Sequence, residues 1–202
     1  MLPSIELEAY QSANHYKYQT RNPLYQWHLQ AFMDCLCNMV EQTKPKSVLD
    51  AGCGEGYTVK YLAERNRGWK LTGVDLSEQA IAYAQMQLGE RARFRIGSVY
   101  KLPFSDRSFD TVVCSEVLEH LDEPDRAMAE LKRVARNAVV ITVPREPYFQ
   151  WLNNVGQRLG LSPDPAHVNF WNKDQFQAFV LAHFEQAKFE WKHIYQLALI
   201  QL

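Results

Sequence analysis

The chain has 202 residues, 47% of them hydrophobic and 22% charged, which is the composition of a folded globular domain and not of a disordered chain. Lys and Arg number 22 against 23 Asp and Glu, so the formal net charge of -1 offers no overall basic field for nucleic acid. No apolar run approaches a membrane span, and the opening MLPSIELEAYQSANHYKYQTRN lacks the basic and apolar regions of a signal peptide, so a cytoplasmic protein is expected.

Residues 1–22 are polar and aromatic with no clear period. From about Leu24 to Val40, Leu29, Phe32, Met33, Leu36, Met39 and Val40 recur at helical spacing. Then the period changes. SVLDA (47–51) reads as a strand that ends in a glycine cluster, and TVKYLAERN as a helix. KLTGVD (70–75) is a second strand, after which Ser77 can cap a helix carrying Ile81, Ala84 and Leu88 on one face. ARFRI (92–96) and FDTVVCS (109–115) are the third and fourth strands. Pro124 suits the first turn of a helix running to about Arg136, and AVVITV (138–143) is the fifth strand. A helix near 173–183 precedes KFEWKHIY (188–195) and QLALIQL (196–202), which are joined too closely to pair other than antiparallel. Strands alternating with helices imply an α/β fold. It is a doubly wound, mostly parallel sheet with an antiparallel hairpin at the C-terminal edge.

Cys35, Cys37, Cys53 and Cys114 contain no CxxC pair. Cys35 and Cys37 are two apart on a helix and point away from each other, so they cannot share a metal. Four reduced, mostly buried thiols are expected.

The chemistry concentrates at VLDAGCGEGY (48–57), a strand-to-helix turn with Gly52, Gly54 and Gly56. Glycines there allow positive φ and a close approach of ligand to backbone. In open α/β sheets such a turn, at the carboxyl ends of the strands, is a nucleotide site. Asp75 stands at the end of the next strand, where a carboxylate can accept from both hydroxyls of a ribose. The glycine spacing is not GxGxxG, and there is no P-loop GK[ST].

VLDAGCGEG, GVDLS, GSVYKLPF and FDTVVCSEVLEHLDEP, in this order across about residues 45–145, resemble the class I S-adenosylmethionine-dependent methyltransferases. More narrowly they are similar to the small type 11 group. The resemblance implies a seven-stranded Rossmann-like sheet with one antiparallel strand. It also implies a domain at 45–202 that binds S-adenosyl-L-methionine, preceded by an N-terminal lid segment and helix at 1–44. By position, the Gly52–Gly54 backbone would hold the amino-acid end of the cofactor, with Asp50 ordering that loop. Asp75 would bind the ribose and Leu76 flank the adenine. Ser98 and Val99 would line the adenine's far side, and Ser115 and Glu116 would sit under the methionine portion. Ser98 departs from relatives that carry an acid there, and RVARNAVVITVP (133–144) lacks the usual Gly-Gly turn before the fifth strand.

Directly after the fourth strand, Glu116, Glu119 and His120 fall at i, i+3 and i+4 and would share one face of a helix over 116–121. His167, in PDPAHVNFWNK, would lie over the same sheet edge. An ExxEH with a later His is similar to quinone-biosynthesis O-methyltransferases and to small-RNA 3′-terminal 2′-O-methyltransferases. In both groups the four side chains are associated with a divalent ion. Two readings stand: Glu116, Glu119, His120 and His167 hold Mg²⁺ or Mn²⁺, or His120 is a plain base at the acceptor. His15, His28, His183 and His193 are read as surface or packing residues.

The acceptor pocket is expected from two segments outside the shared motifs. One is the lid, with Tyr16, Tyr18, Arg21 and Tyr25. The other is a cap insert at about 145–172, with Arg145, Tyr148, Trp151, His167, Asn169 and Trp171, where Phe149, Trp151 and Leu152 also fit ordinary helix packing. The expected function is methyl transfer to a small-molecule acceptor at oxygen. The alternatives are an RNA-terminal 2′-O-methyltransferase and a non-catalytic cofactor-binding module. The acceptor's identity and the oligomeric state are not written in the sequence.

Overall fold

The computed structural model describes Tyr18, residues 22–147 and residues 167–202. Tyr16 and Arg21 of the expected lid, and Tyr148, Phe149, Trp151 and Leu152 of the expected cap, lie outside the described residues.

Seven strands form one sheet in the order β3-β2-β1-β4-β5-β7-β6. They are β1 (Ser47–Ala51), β2 (Lys70–Asp75), β3 (Arg93–Ile96), β4 (Phe109–Ser115), β5 (Ala135–Pro144), β6 (Lys188–Lys192) and β7 (Tyr195–Gln201). Strands β1 to β5 pair parallel, and β7 pairs antiparallel with both β5 and β6. The sheet matches the mostly parallel architecture with its terminal hairpin. Strands in the middle of such a sheet are covered on both faces, so they carry continuous apolar runs. Strand β5 is buried from Ala138 to Pro144 for this reason.

The helices are α1 (Pro23–Gln42), α2 (Tyr57–Arg65), α3 (Glu78–Leu88), α4 (Pro124–Val134) and α5 (Lys173–His183). The Asn22 side chain caps α1 by accepting from the Leu24 and Tyr25 amides. Leu29, Phe32, Met33, Leu36, Met39 and Val40 are all buried, as their spacing predicts, and Cys37 joins them. They pack with Val48, Val59, Leu62, Ile81, Val113 and Val140 in one core. A second core surrounds Leu49, Val112, Leu118, Met128, Leu131 and Ile141. Ser77 caps α3 through Ala80 N–H, also as predicted. The helix expected to reach Arg136 stops at Val134, and β5 begins at Ala135 with no intervening loop. The missing Gly-Gly turn is thus replaced by a direct helix-to-strand junction. Cys37, Cys53 and Cys114 are buried and Cys35 half-buried.

One anchor was not foreseen from sequence. Arg133 on α4 donates to the carbonyls of Leu102 and Phe104 and to Asp106 and Glu130, while Glu130 accepts from Leu102 N–H. These contacts hold the loop after β3, which carries Ser98 and Val99. Arg133→Ala is expected to lower the unfolding free energy by about 2 kcal/mol, because hydrogen bonds of a charged group are lost from half-buried carbonyls. Urea unfolding measures it; an unchanged midpoint would class these contacts with exposed ion pairs of little net worth. Among the described residues, no helix is long and apolar enough to cross a membrane.

Candidate active site

The glycine turn sits at the carboxyl end of β1. The amides of Gly52 and Cys53 both donate to Val74 O on β2, at 2.7 and 2.9 Å, and Gly56 N–H donates to Cys53 O. Gly52 takes φ +83° and Gly56 +80°. A Cβ on Gly52 would lie 2.4 Å from a methyl of Val117, so the segment after β4 packs directly on the glycine turn.

Asp75 closes the turn from the next strand. One carboxylate oxygen accepts from Gly54 N–H at 2.8 Å, the other from Ser77 N–H at 2.9 Å. A carboxylate has about four acceptor positions, so each oxygen keeps one for a ligand hydroxyl. Beside it Leu76 is 72% exposed, and Ile96, in register with Asp75 on β3, is 52% exposed. Two large apolar side chains bared next to a polar clamp suit a flat heterocycle. Ile96 was not singled out in the sequence, although the strand register would have placed it. Ser98 Oγ accepts from Tyr100 N–H at 3.2 Å, and Val99 is buried.

Asp50 is 1% exposed, and its Oδ2 has no hydrogen-bond partner among the described residues. Burial, then the negative charge of Asp75, pushes its carboxyl up to about 8. The Cys53 thiol is also pushed up, by burial first and then by Asp50 and Asp75.

The helix expected over 116–121 is absent. Ser115 ends β4, with its hydroxyl 2.9 Å from that of Thr142, and Glu116 turns the chain in the left-handed region at φ +55°. A single 3₁₀ turn, Leu118–His120, follows. The left-handed Glu116 and the non-helical Val117, at φ −126°, break the helical path before it starts, and Leu121 leaves it again at ψ +134°. Glu116 therefore does not share a helical face with Glu119 and His120.

Glu119, His120 and His167 do come together. Their potential ligand atoms lie within 4.8 Å of one another, and the two imidazole rings meet edge to face with centroids 4.7 Å apart. Glu119 is buried and His120 exposed. Glu116 is not part of this group. His167 is held there by the residues that follow it. The amides of Val168 and Asn169 both donate to Glu119 O, at 2.9 and 3.0 Å. The Asn169 side-chain amide donates to Leu118 O at 3.0 Å and to Leu121 O at 2.5 Å. At the other end of this loop, buried Gln196 donates to Trp171 O and Pro144 O. Tyr18 stacks on Tyr57, the first residue of α2, at 4.1 Å, and its hydroxyl meets Met33 Sδ. It thus packs against the start of the helix that follows the glycine turn.

Residues 49–142 match the family model of the type 11 methyltransferase domain. The ubiquinone biosynthesis O-methyltransferase of Nitrosospira multiformis is 36% identical over 131 residues, which cover 60% of this chain and 54% of that protein. The norajmaline N-methyltransferase of Rauvolfia serpentina is 33% identical over 105 residues, 50% of this chain and 36% of that protein. The chain thus spans about half or less of the length of these curated relatives. Among solved structures, the methyltransferase domain of bacterial CtHen1 superposes with a TM-score of 0.69 at 20% identity, covering 87% of this chain and 100% of that one. Magnesium protoporphyrin IX methyltransferase from Synechocystis PCC 6803, with bound S-adenosylhomocysteine, gives 0.67 at 19% identity over 93% and 90%. Over residues 49–142 the chain is thus similar to the methyltransferase domain of the type 11 group, and its fold is that of solved methyltransferase structures.

Proposed function

We propose that the chain transfers the methyl group of S-adenosylmethionine to an oxygen of a small-molecule acceptor. The observation that carries the reading is the Glu119–His120–His167 group, joined to the glycine turn through Val117. An alcohol or phenol must lose its proton as it attacks the sulfonium methyl, and an imidazole is the side chain best matched to take it near neutral pH. An amine nucleophile is already competent when neutral and has less need of this arrangement.

In this reading the Gly52–Gly54 backbone and Asp50 meet the amino-acid end of the cofactor. Asp75 takes the ribose, and Leu76, Ile96, Ser98 and Val99 enclose the adenine. Ser115 and Glu116 lie under the methionine portion. His120, exposed at the end of its turn, faces the acceptor with His167 against it, and buried Glu119 lies beside them. Alignment of acceptor and methyl can supply roughly 7–11 kcal/mol of the barrier. The three donor groups, whose ligand atoms lie within 4.8 Å of one another, also suit a divalent cation such as Mn²⁺ or Mg²⁺. When bound, such an ion lowers the pKa of the oxygen it holds. The proposed setting is the cytoplasm, in keeping with unpaired buried thiols.

The test is methyl transfer from labelled S-adenosylmethionine to a panel of catechols, hydroxybenzoates, alkyl amines and an RNA 3′ end. Transfer to a phenolic oxygen is expected, falling 10²–10⁴-fold in His120→Ala while S-adenosylhomocysteine binding by calorimetry is unchanged. Transfer confined to amines, or to RNA, would overturn the acceptor class. Titration of Mn²⁺ and Mg²⁺ into the product-saturated protein tests the ion. Saturable binding lost in Glu119→Ala and His167→Ala supports it, and no binding leaves His120 as the base.

A further inference from the structure

We infer that Asn169 is a positioning residue, whose side-chain amide holds His167 against His120 and Glu119 across the mouth of the active site. The inference rests on the reading above that His167 works at the acceptor end.

His167 and Glu119 belong to segments far apart in sequence. Glu119 lies in the single 3₁₀ turn between β4 and α4, and residues 167–172, which lead into α5 at Lys173, carry no helix or strand. An imidazole carried on a loop would sample many positions, and ordering it costs conformational entropy. The loop is instead fixed to the 3₁₀ turn by backbone and side chain together. Val168 N–H and Asn169 N–H converge on the carbonyl of Glu119, so the residue whose carboxylate joins the group also anchors the loop through its backbone. The Asn169 amide then spans Leu118 O and Leu121 O, the carbonyls on either side of Glu119 and His120. A planar amide with two donors is matched to two carbonyls one turn apart. Asp cannot do this when ionised, because it has no donor, and Ser has a single, shorter one.

The geometry also separates local from general effects. Gln196 makes the equivalent pair of bonds at the far end of the same loop, to Trp171 O and Pro144 O. Its bonds fall at Trp171 and Pro144 and not at His167, Val168 or Asn169, so it serves as the control for loss of loop anchoring alone.

The experiment reads the histidine ring protons by NMR in protein saturated with S-adenosylhomocysteine, at a pH where both imidazoles are neutral. An edge-to-face pair with centroids 4.7 Å apart displaces ring protons upfield. In Asn169→Asp this displacement is expected to vanish, and in Asn169→Ser to be partly retained. Gln196→Leu is expected to lower the melting temperature while leaving the displacement in place. With a phenolic acceptor, Asn169→Asp should lower kcat at least tenfold with little change in KM for S-adenosylmethionine. Retention of the ring shift in folded Asn169→Asp overturns the inference, as does its loss in Gln196→Leu. If Asn169→Asp does not fold, Asn169→Ser decides: a ring shift equal to that of the unsubstituted protein overturns the inference. Loss of the shift in a protein that methylates no acceptor would overturn the functional reading and leave the positioning role standing.

Discussion

Gly52→Ala is expected to weaken S-adenosylhomocysteine binding at least 100-fold, which is about 2.7 kcal/mol. Two costs act at once. At φ +83° an L side chain crowds its own backbone, at roughly 1–2 kcal/mol. The new Cβ would also lie 2.4 Å from a Val117 methyl, far inside contact distance, so Val117 or the turn must move. If the turn moves, its amides leave the position from which both donate to Val74 O. If Val117 moves, the strain passes to Glu119 and His120, two and three residues along. Calorimetry measures the loss, and the double variant Gly52→Ala/Val117→Ala should recover part of it, since the steric half is relieved and the backbone half is not. Gly89→Ala is the control: Gly89 has φ +51° but nothing within 4 Å of an added Cβ, so cofactor binding should be untouched. Binding within threefold of normal in Gly52→Ala would remove the turn from the cofactor site.

The second large effect concerns pH. The carboxyl of Asp50 is pushed up to about 8 from 3.8. Between roughly pH 4 and pH 8 the native chain therefore holds a proton that the unfolded chain has released. Stability must fall as pH rises through that window, because the unfolded state binds fewer protons there. Asn mimics the neutral carboxyl and cannot ionise. Asp50→Asn should match the unsubstituted protein near pH 4 and exceed it above pH 8, by an amount on the order of a few kcal/mol. Urea unfolding of the ligand-free protein at pH 5, 7 and 9 reads the difference. Parallel pH profiles for the two proteins would show that Asp50 titrates normally.

The parts of the fold legible in the sequence were those fixed by local chemistry. Ser47–Ala51, Lys70–Asp75 and Phe109–Ser115 are read to the residue because each centres on short apolar, largely β-branched stretches (Val48 and Leu49, Leu71 and Val74, Val112 and Val113) bounded by turn and helix signals. Ser77 and Pro124 mark helix starts because a cap and a fixed φ act within one turn. The site was legible where a motif is contiguous: the glycine turn and Asp75. It was misread at Glu116, where the i, i+3, i+4 spacing says helix but the backbone turns through the left-handed region and forms a single 3₁₀ turn. What no local pattern carries is the long-range fit. Val117 filling the space that Gly52 leaves, and Asn169 reaching carbonyls 51 and 48 residues away, become visible only when the chain is closed.

The reversal of β7 has a practical consequence for attachment. Tyr195, at its start, pairs with Pro144 at the edge where the glycine turn and His120 lie. Six residues later Gln201 pairs with Ala138, and Leu202 N–H donates to Asn137 O. At roughly 3.3 Å per residue the strand carries the chain about 20 Å, to the opposite rim of the sheet. A fluorophore or a surface tether attached beside Leu202 therefore departs from the rim opposite the glycine turn and His120.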